Sequence, residues 1–258
     1  MAAKEVLVEK QGTVAIVTIN RPDKRNAQGL KFTQNMLSAF DEVENDPDVN
    51  VVILTGAGSV FGGGGDVFEI MSTEPVDPEP EFELIRGYNK VISRIYHFDR
   101  PIIAAVNGPA VGGGVCLALA CDFAIAAEQA QYFFAFARIG LTGADMGAPF
   151  LLQKHLGSAR ASYYILTGET IDAKEGKALG LFVDVVKQDQ LQATARRLAE
   201  SIAVQSRRGT TMAKLSLRRS LETHLDAALE YEAYLQSFAF QSQEHKKRLG
   251  EFIARRSS

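Results

Sequence analysis

Residues 107–122 read NGPAVGGGVCLALACD, and the fold is decided by how this stretch is understood. The run before it, residues 101–106 (PIIAAV), has the length and β-branched content of a buried strand. Asn107-Gly108-Pro109 is a turn signal. Gly112, Gly113 and Gly114 follow, and they open an apolar, helix-forming run over residues 115–120. The first backbone N–H groups of such a helix have no partner within it. They lie at the positive end of the helix dipole. With no side chains in the way, a ligand can come up to the backbone itself. The arrangement suits an oxygen that becomes negative during a reaction. The alternative for a lone triple glycine is a tight strand–helix turn that serves packing only.

A second stretch repeats the pattern. Residues 51–54 (VVIL) are another buried-strand run, and residues 55–66 continue as TGAGSVFGGGGD. Asp66 stands where it would cap the following helix. Phe61 occupies the third-glycine position of G-x-G-x-x-G, and no Gly-Lys-Ser/Thr follows, so a nucleotide-binding reading is weak. Two glycine turns at strand–helix junctions, residues 62–65 and 112–114, would offer two N–H donors if they converged. A thioester carbonyl fits such a pair, because its oxygen takes on enolate charge as a proton leaves or reaches the neighbouring carbon. Losing one donor of this kind typically costs about 3 kcal/mol of transition-state stabilisation.

Outward from these two stretches the chain alternates strands and helices. Residues 5–8 and 13–19 read as a hairpin about Lys10-Gln11-Gly12, and residues 30–43 as a helix. Residues 71–81, with three prolines and four acids, read as an exposed, mobile loop before a helix over 82–96. Short strands are expected at 122–127, 132–136 and 182–186, with helices near 148–156, 158–166, 172–179 and 189–205. From about residue 209 onward the pattern is amphipathic helix alone. An α/β core with a helical C-terminal region follows, divided as residues 1–190 and 191–258.

Composition excludes several classes of function. The 258 residues are 46% hydrophobic with a net charge of -3, enough for a sizeable core and unlike a nucleic-acid binder. The basic runs Arg207-Arg208, Arg218-Arg219 and 245–248 sit at helical spacing and read as solvated faces. Cys116 and Cys121 read as reduced, buried thiols. No metal-ligand spacing occurs. No run reaches the roughly 18 apolar residues of a membrane span, and no signal core opens the chain, so a cytoplasmic protein is expected.

Taken together, these motifs resemble the crotonase, or enoyl-CoA hydratase/isomerase, superfamily. The matching pieces are TVAIVTINRP (13–22), VVILTGAGSVFGGGGD (51–66), RPIIAAVNGPAVGGGVCLALACD (100–122), residues 139–156 and residues 161–186, in the right order along nearly the whole chain. The resemblance implies a spiral of ββα turns with C-terminal helices that trimerise, as a homotrimer or homohexamer. It implies an acyl-CoA substrate and no metal or redox cofactor. It puts the oxyanion N–H donors at Gly65 and Gly113, and CoA contacts at Lys24, Arg25, Ala27 and Gly63.

The departures from the family pattern bear on the chemistry. Members that hydrate usually carry two glutamates; here Cys116 and Phe136 hold those positions, which makes this an atypical member. Cys116, among Val115, Leu117 and Ala118, reads as an inert thiol. One acid remains on the right loop, Asp145. It is a candidate general acid/base, its pKa raised by an apolar setting of Phe133, Phe134 and Phe136. It is equally a candidate cap for a helix starting near Met146. Glu69 reads as exposed, and Tyr96, His97 and His155 as packing or surface residues. Three functions stay open: a hydratase or isomerase working through Asp145, a C–C hydrolase or decarboxylase using the same enolate, and a non-catalytic acyl-CoA-binding subunit.

Overall fold

The computed structural model describes residues 4–70 and 77–256. The chain begins with β1 (Val6–Gln11) and β2 (Val14–Ile19), then α1 (Phe32–Asn45), β3 (Val51–Gly56), the short α2 (Val67–Ile70) and α3 (Pro78–Tyr96). Next come β4 (Ile102–Val106), β5 (Ala110–Val111), α4 (Gly113–Ala120), β6 (Phe123–Ala127) and β7 (Gln131–Phe133). After these lie α5 (Ala148–Leu156), α6 (Ser158–Thr167), β8 (Thr170–Asp172), α7 (Ala173–Ala178) and β9 (Asp184–Val186). Four helices end the chain: α8 (Leu191–Ala203), α9 (Arg207–Ser220), α10 (Leu225–Gln241) and α11 (Gln243–Arg256).

The main sheet has the order β1-β2-β3-β4-β6-β9, antiparallel only at β1–β2. Gly12 turns the first hairpin with φ 66°, a value that glycine adopts freely. The inner strands are apolar on both faces because both faces are covered. Val14, Val51, Ile53, Ile103, Ala105 and Ile125 pack under Leu191, Ala195 and Ala199 of α8. Alternate residues, among them Val17, Leu54, Ala104 and Val106, join the larger core with α1, α3 and α4. Helix α8, on the C-terminal side of the division at residue 190, is thus the cover of the sheet itself. A second, three-stranded sheet, β5-β7-β8, stands beside the first.

Two local expectations are corrected. Residues 78–81 are the first turn of α3, not loop: Asp77 accepts the Glu79 N–H, and Pro78 sits where a helix has no N–H to lose. The remainder of the expected mobile loop, residues 71–76, lies outside the described residues. Residues 135–139 form a turn of 3-10 helix in place of the end of a strand.

Helices α10 and α11 bury none of their residues. Leu225, Leu229, Phe238, Phe252 and Ile253 are more than half exposed. Helix α9 is anchored instead. Lys214 donates to Asp122 at 2.8 Å and to the Arg100 carbonyl at 2.9 Å, and Arg218 donates to Asp122 and to the carbonyls of Ala120 and Cys121. Arg218 also stacks 3.9 Å from the Tyr96 ring centre, so it is not part of a solvated face. Among the described residues no helix is long and apolar enough to cross a membrane.

Candidate active site

The two glycine turns meet. Val111 N–H donates to the Gly62 carbonyl at 2.8 Å, and Gly62 bridges to Ala110. The contact is between bare backbones: a Cβ on Gly64 would lie 3.0 Å from the Val111 carbonyl, and one on Gly114 would overlap Gly62. Glycine is required here by the approach itself. Gly65 is held in register by Gln28, whose N–H donates to the Gly64 carbonyl and whose carbonyl accepts from Asp66 N–H. Among the described residues neither the Gly65 N–H nor the Gly113 N–H finds a backbone acceptor. Gly113 is the first residue of α4, at the positive end of its dipole.

Two buried asparagines hold these turns. Asn26 donates to the carbonyls of Ala57 and Val60 and accepts from Arg21 N–H. Asn107 accepts from Gly56 N–H and donates to the Gly58 carbonyl. Behind Gly65 stands an ionic cluster. The buried Arg21 guanidinium donates to Asp66 at 3.1 Å, to Glu69 at 2.6 Å and to the Ala27 carbonyl at 2.7 Å. Asp66 also accepts the Phe68 N–H, as its capping position predicts. Glu69 is exposed, as its sequence position suggests, yet its carboxylate is tied into the cluster. Bonds from Lys24 and then Arg21 hold its carboxyl down at about 2.

A cleft of about 820 Å3 opens beside the glycine turns, lined by Lys24, Arg25, Ala27, Gly63, Gly65 and Phe133 among others. It gathers every residue to which the family resemblance assigned a CoA contact. Lys24 spans the cluster and the cleft, with its ammonium 2.7 Å from Glu69. Arg25 bends the chain with φ 52°, and a Cβ on Gly63 would lie 2.7 Å from its carbonyl.

Asp145 lies beside the first turn of α4. It does not cap α5: the N-cap position is Gly147, with no side-chain bond. Its Oδ1 is buried without a partner among the described residues, and burial pushes its carboxyl up from the usual carboxylate range. The next residue, Met146, is buried with φ 45°, a strained value for a non-glycine residue. The Asp145 carbonyl is 3.8 Å from Cys116 Sγ on the first turn of α4. Cys116 is fully buried, and burial raises its thiol far above the ordinary range, so it is not a nucleophile at neutral pH. The Phe136 ring lies about 3.5 Å from where a Cβ on Gly112 would be.

Sequence reasoning missed two residues. The Gln28 carboxamide packs against Gly113, where an added Cβ would lie 2.8 Å from Nε2. Tyr88 on α3 donates to the Gln28 carbonyl at 3.0 Å. The only available signal for Gln28 was its place one residue past the singled-out Lys24–Ala27 segment. Tyr88 appeared only as one position in a helical stripe. The remaining candidates lie away from the site: Tyr96 and His155 are packed beneath α9 and α4, and His97 is exposed.

Comparison with known proteins agrees with this geometry. A family model described as enoyl-CoA hydratase/isomerase matches residues 9–258. A short-chain-enoyl-CoA hydratase of Clostridium acetobutylicum is 33% identical over 257 residues, covering 99% of this chain and 97% of that relative. A 1,2-epoxyphenylacetyl-CoA isomerase of Escherichia coli is 32% identical over 254 residues, covering 98% and 96%. The crystal structure of an enoyl-CoA hydratase from Bacillus anthracis superposes with a TM-score of 0.92 at 27% identity, covering 97% of this chain and 96% of that one. With its two glycine turns joined on a ββα scaffold, the chain belongs to the enoyl-CoA hydratase/isomerase family of the crotonase superfamily.

Proposed function

We propose that the chain is an acyl-CoA enzyme of the hydratase/isomerase type that holds a thioester enolate between the N–H groups of Gly65 and Gly113. Asp145 is its acid/base. The observation that carries the reading is the union of the two glycine turns, with both N–H groups left without a backbone acceptor among the described residues. A carbonyl oxygen that accepts from both gains most as it becomes negative, because the donors are fixed before the reaction starts.

The carboxyl group supplies the proton transfer. In shifting a double bond from C3 to C2, Asp145 takes a proton from C2. The electron pair spreads into a dienolate with its charge on the thioester oxygen, and the proton returns at C4. A carboxyl raised by burial suits both halves of this exchange, since it gives up and regains its proton closer to neutral pH. Lys24, Arg25, Ala27 and Gly63 bind the CoA moiety along the cleft. The reading needs no metal or redox cofactor. The exposed apolar residues of α9–α11 are the surface for assembly into a homotrimer or homohexamer, and the enzyme acts in the cytoplasm on a small-molecule substrate.

A panel of 2-enoyl-, 3-enoyl- and dienoyl-CoA thioesters, assayed with wild type and Asp145→Asn, tests the proposal. Turnover that drops on the order of 10²-fold or more in Asp145→Asn supports it. Binding of CoA esters without turnover of any of them refutes the enzyme reading. Full turnover by Asp145→Asn removes Asp145 from the chemistry.

A further inference from the structure

Gly65 belongs to no helix or named strand, so its place must be set from outside. Gln28 sets it: its N–H donates to the Gly64 carbonyl at 2.7 Å, and its carbonyl accepts from Asp66 N–H at 2.9 Å. Gln28 is itself in the connection between β2 and α1. Two side chains hold that connection. On one side the Arg21 guanidinium donates to the Ala27 carbonyl at 2.7 Å. On the other the Tyr88 hydroxyl of α3 donates to the Gln28 carbonyl at 3.0 Å and lies 3.3 Å from the Gly29 carbonyl.

The Gln28 carbonyl thus takes a donor on each of its two lone pairs, Asp66 N–H and Tyr88 O–H. One bond alone lets a peptide plane rock about it. Two bonds from different elements give the plane a direction. The Tyr88 ring is built to deliver the second. It is 2% exposed and meets the Phe32 ring edge-on at 5.9 Å. The residue before it, Gly87, lets α3 close on α1: a Cβ there would lie 2.9 Å from Thr33 Oγ1. Burial pushes the hydroxyl up to about 12, so it keeps its hydrogen at neutral pH. One turn further along the same face of α3, Ile92 lies 3.7 Å from where a Cβ on Gly147 would be. This face of α3 therefore touches the Gly65 turn through Gln28 and the loop that carries Asp145.

Resting on the function proposed above, we propose that Tyr88 is a positioning residue for the oxyanion site. Its hydroxyl orients the Gln28 peptide, and through it the Gly65 N–H, so that the aim of this donor is set by how α3 packs on α1. Tyr88 touches no substrate. It acts on the enolate only through Gly65, and its removal is felt in turnover more than in binding, because the thioester oxygen draws most on its donors once it is negative.

The test compares full-length wild type, Tyr88→Phe, Gly87→Ala and Gly87→Ala with Thr33→Ala, each shown to be folded by circular dichroism. kcat and KM are measured on an enoyl-CoA that the wild type turns over. The infrared carbonyl band of a saturated acyl-CoA, labelled with 13C at the thioester carbon, is recorded bound to each protein. In wild type the band is expected to fall to lower frequency on binding, as two N–H donors draw charge onto the oxygen. Tyr88→Phe keeps the ring and loses one hydrogen bond, so kcat is expected to fall about tenfold, with KM within about twofold of wild type. The carbonyl band is expected to move back toward that of the free ester. Gly87→Ala should act in the same direction by pushing α3 off α1, although alanine is the better helix former. Adding Thr33→Ala removes the obstacle and should restore both readouts.

A packing role alone would lower the unfolding midpoint of Tyr88→Phe and leave kcat and the carbonyl band unchanged, and that result overturns the proposal. If Tyr88→Phe does not fold, the Gly87 pair decides: no loss in Gly87→Ala, or a loss that Thr33→Ala does not restore, overturns it equally. A wild type that binds the ester without displacing its band refutes the oxyanion site itself, and the role of Tyr88 with it.

Discussion

Replacing Arg21 with methionine removes the cation buried behind Gly65. Arg21 is 7% exposed and Asp66 is 5% exposed. Among the described residues the change leaves the Asp66 carboxylate with the Phe68 N–H at 3.3 Å and Lys24 at 3.7 Å. Breaking a buried pair by deleting one partner costs about 3–5 kcal/mol. The lower end applies, because Lys24 remains and Glu69 is partly solvated. In a chain of this size each kcal/mol shifts the unfolding midpoint by about 2–4 °C, so a loss near 3 kcal/mol lowers it by about 6–12 °C. The function suffers separately. Asp66 N–H fixes the Gly65 turn to Gln28, and a misplacement of about 1 Å there is worth on the order of 10²-fold in turnover. Differential scanning fluorimetry and steady-state assay on one enoyl-CoA measure the two effects. Asp66→Leu in the Arg21→Met background should recover part of the midpoint, since it removes the stranded charge. It should recover none of the turnover. A midpoint within about 2 °C of wild type, with full activity, would show that the cluster does not hold Gly65.

Three further outcomes follow from the site. Gly113→Ala and Gly113→Pro both add a Cβ that meets Gln28 and Met146, but only proline removes the N–H. The excess loss in proline over alanine isolates the donor and should be on the order of 10²-fold in kcat; equal losses would remove Gly113 from the oxyanion site. Burial raises the Asp145 carboxyl above its usual 3.8, so the folded state keeps that proton longer than the unfolded state, and stability from this group falls as pH rises between the two values. Asp145→Asn should therefore raise the unfolding midpoint at pH 7 and lose that advantage in acid; a lowered midpoint at pH 7 would contradict the burial argument. Cys116 and Cys121 are both buried, with thiols raised far above the ordinary range, so a thiol reagent should label neither until the chain is unfolded. Labelling of the native protein would reopen the nucleophile reading for Cys116.

The parts of the site that could be read from the sequence are those that local rules determine. Gly62–Gly65 and Gly112–Gly114 announce close backbone approach because no other residue permits it. Their order among buried strands identified the superfamily. Gln28 gave no such signal. Its contacts with Tyr88 and Gly113 join residues far apart along the chain, and nothing within a window of sequence encodes that meeting. The ionic cluster behind Gly65 was hidden for the same reason: Arg21 and Asp66 lie 45 positions apart. Pro78 and Pro80 misled in the opposite direction. Proline usually ends a helix, yet in the first turn of α3 it costs no hydrogen bond. The strands β5, β7 and β8, two or three residues long, are too short for an alternating pattern to show.

Helix α4 is only eight residues, a rod of about 12 Å. Gly113 is its first residue, and at its far end Arg218 of α9 bonds the carbonyls of Ala120 and Cys121. One short rigid piece thus connects the chemistry to the C-terminal helices. A cation placed at the negative end of the helix offsets the dipole there and leaves the positive end to act on the substrate. Whatever loosens α9 acts on Gly113 without touching the cleft. In the assembly proposed above, subunit contacts along α9–α11 would be felt as a rate, and dilution of the protein should lower activity per molecule before any change appears in substrate binding.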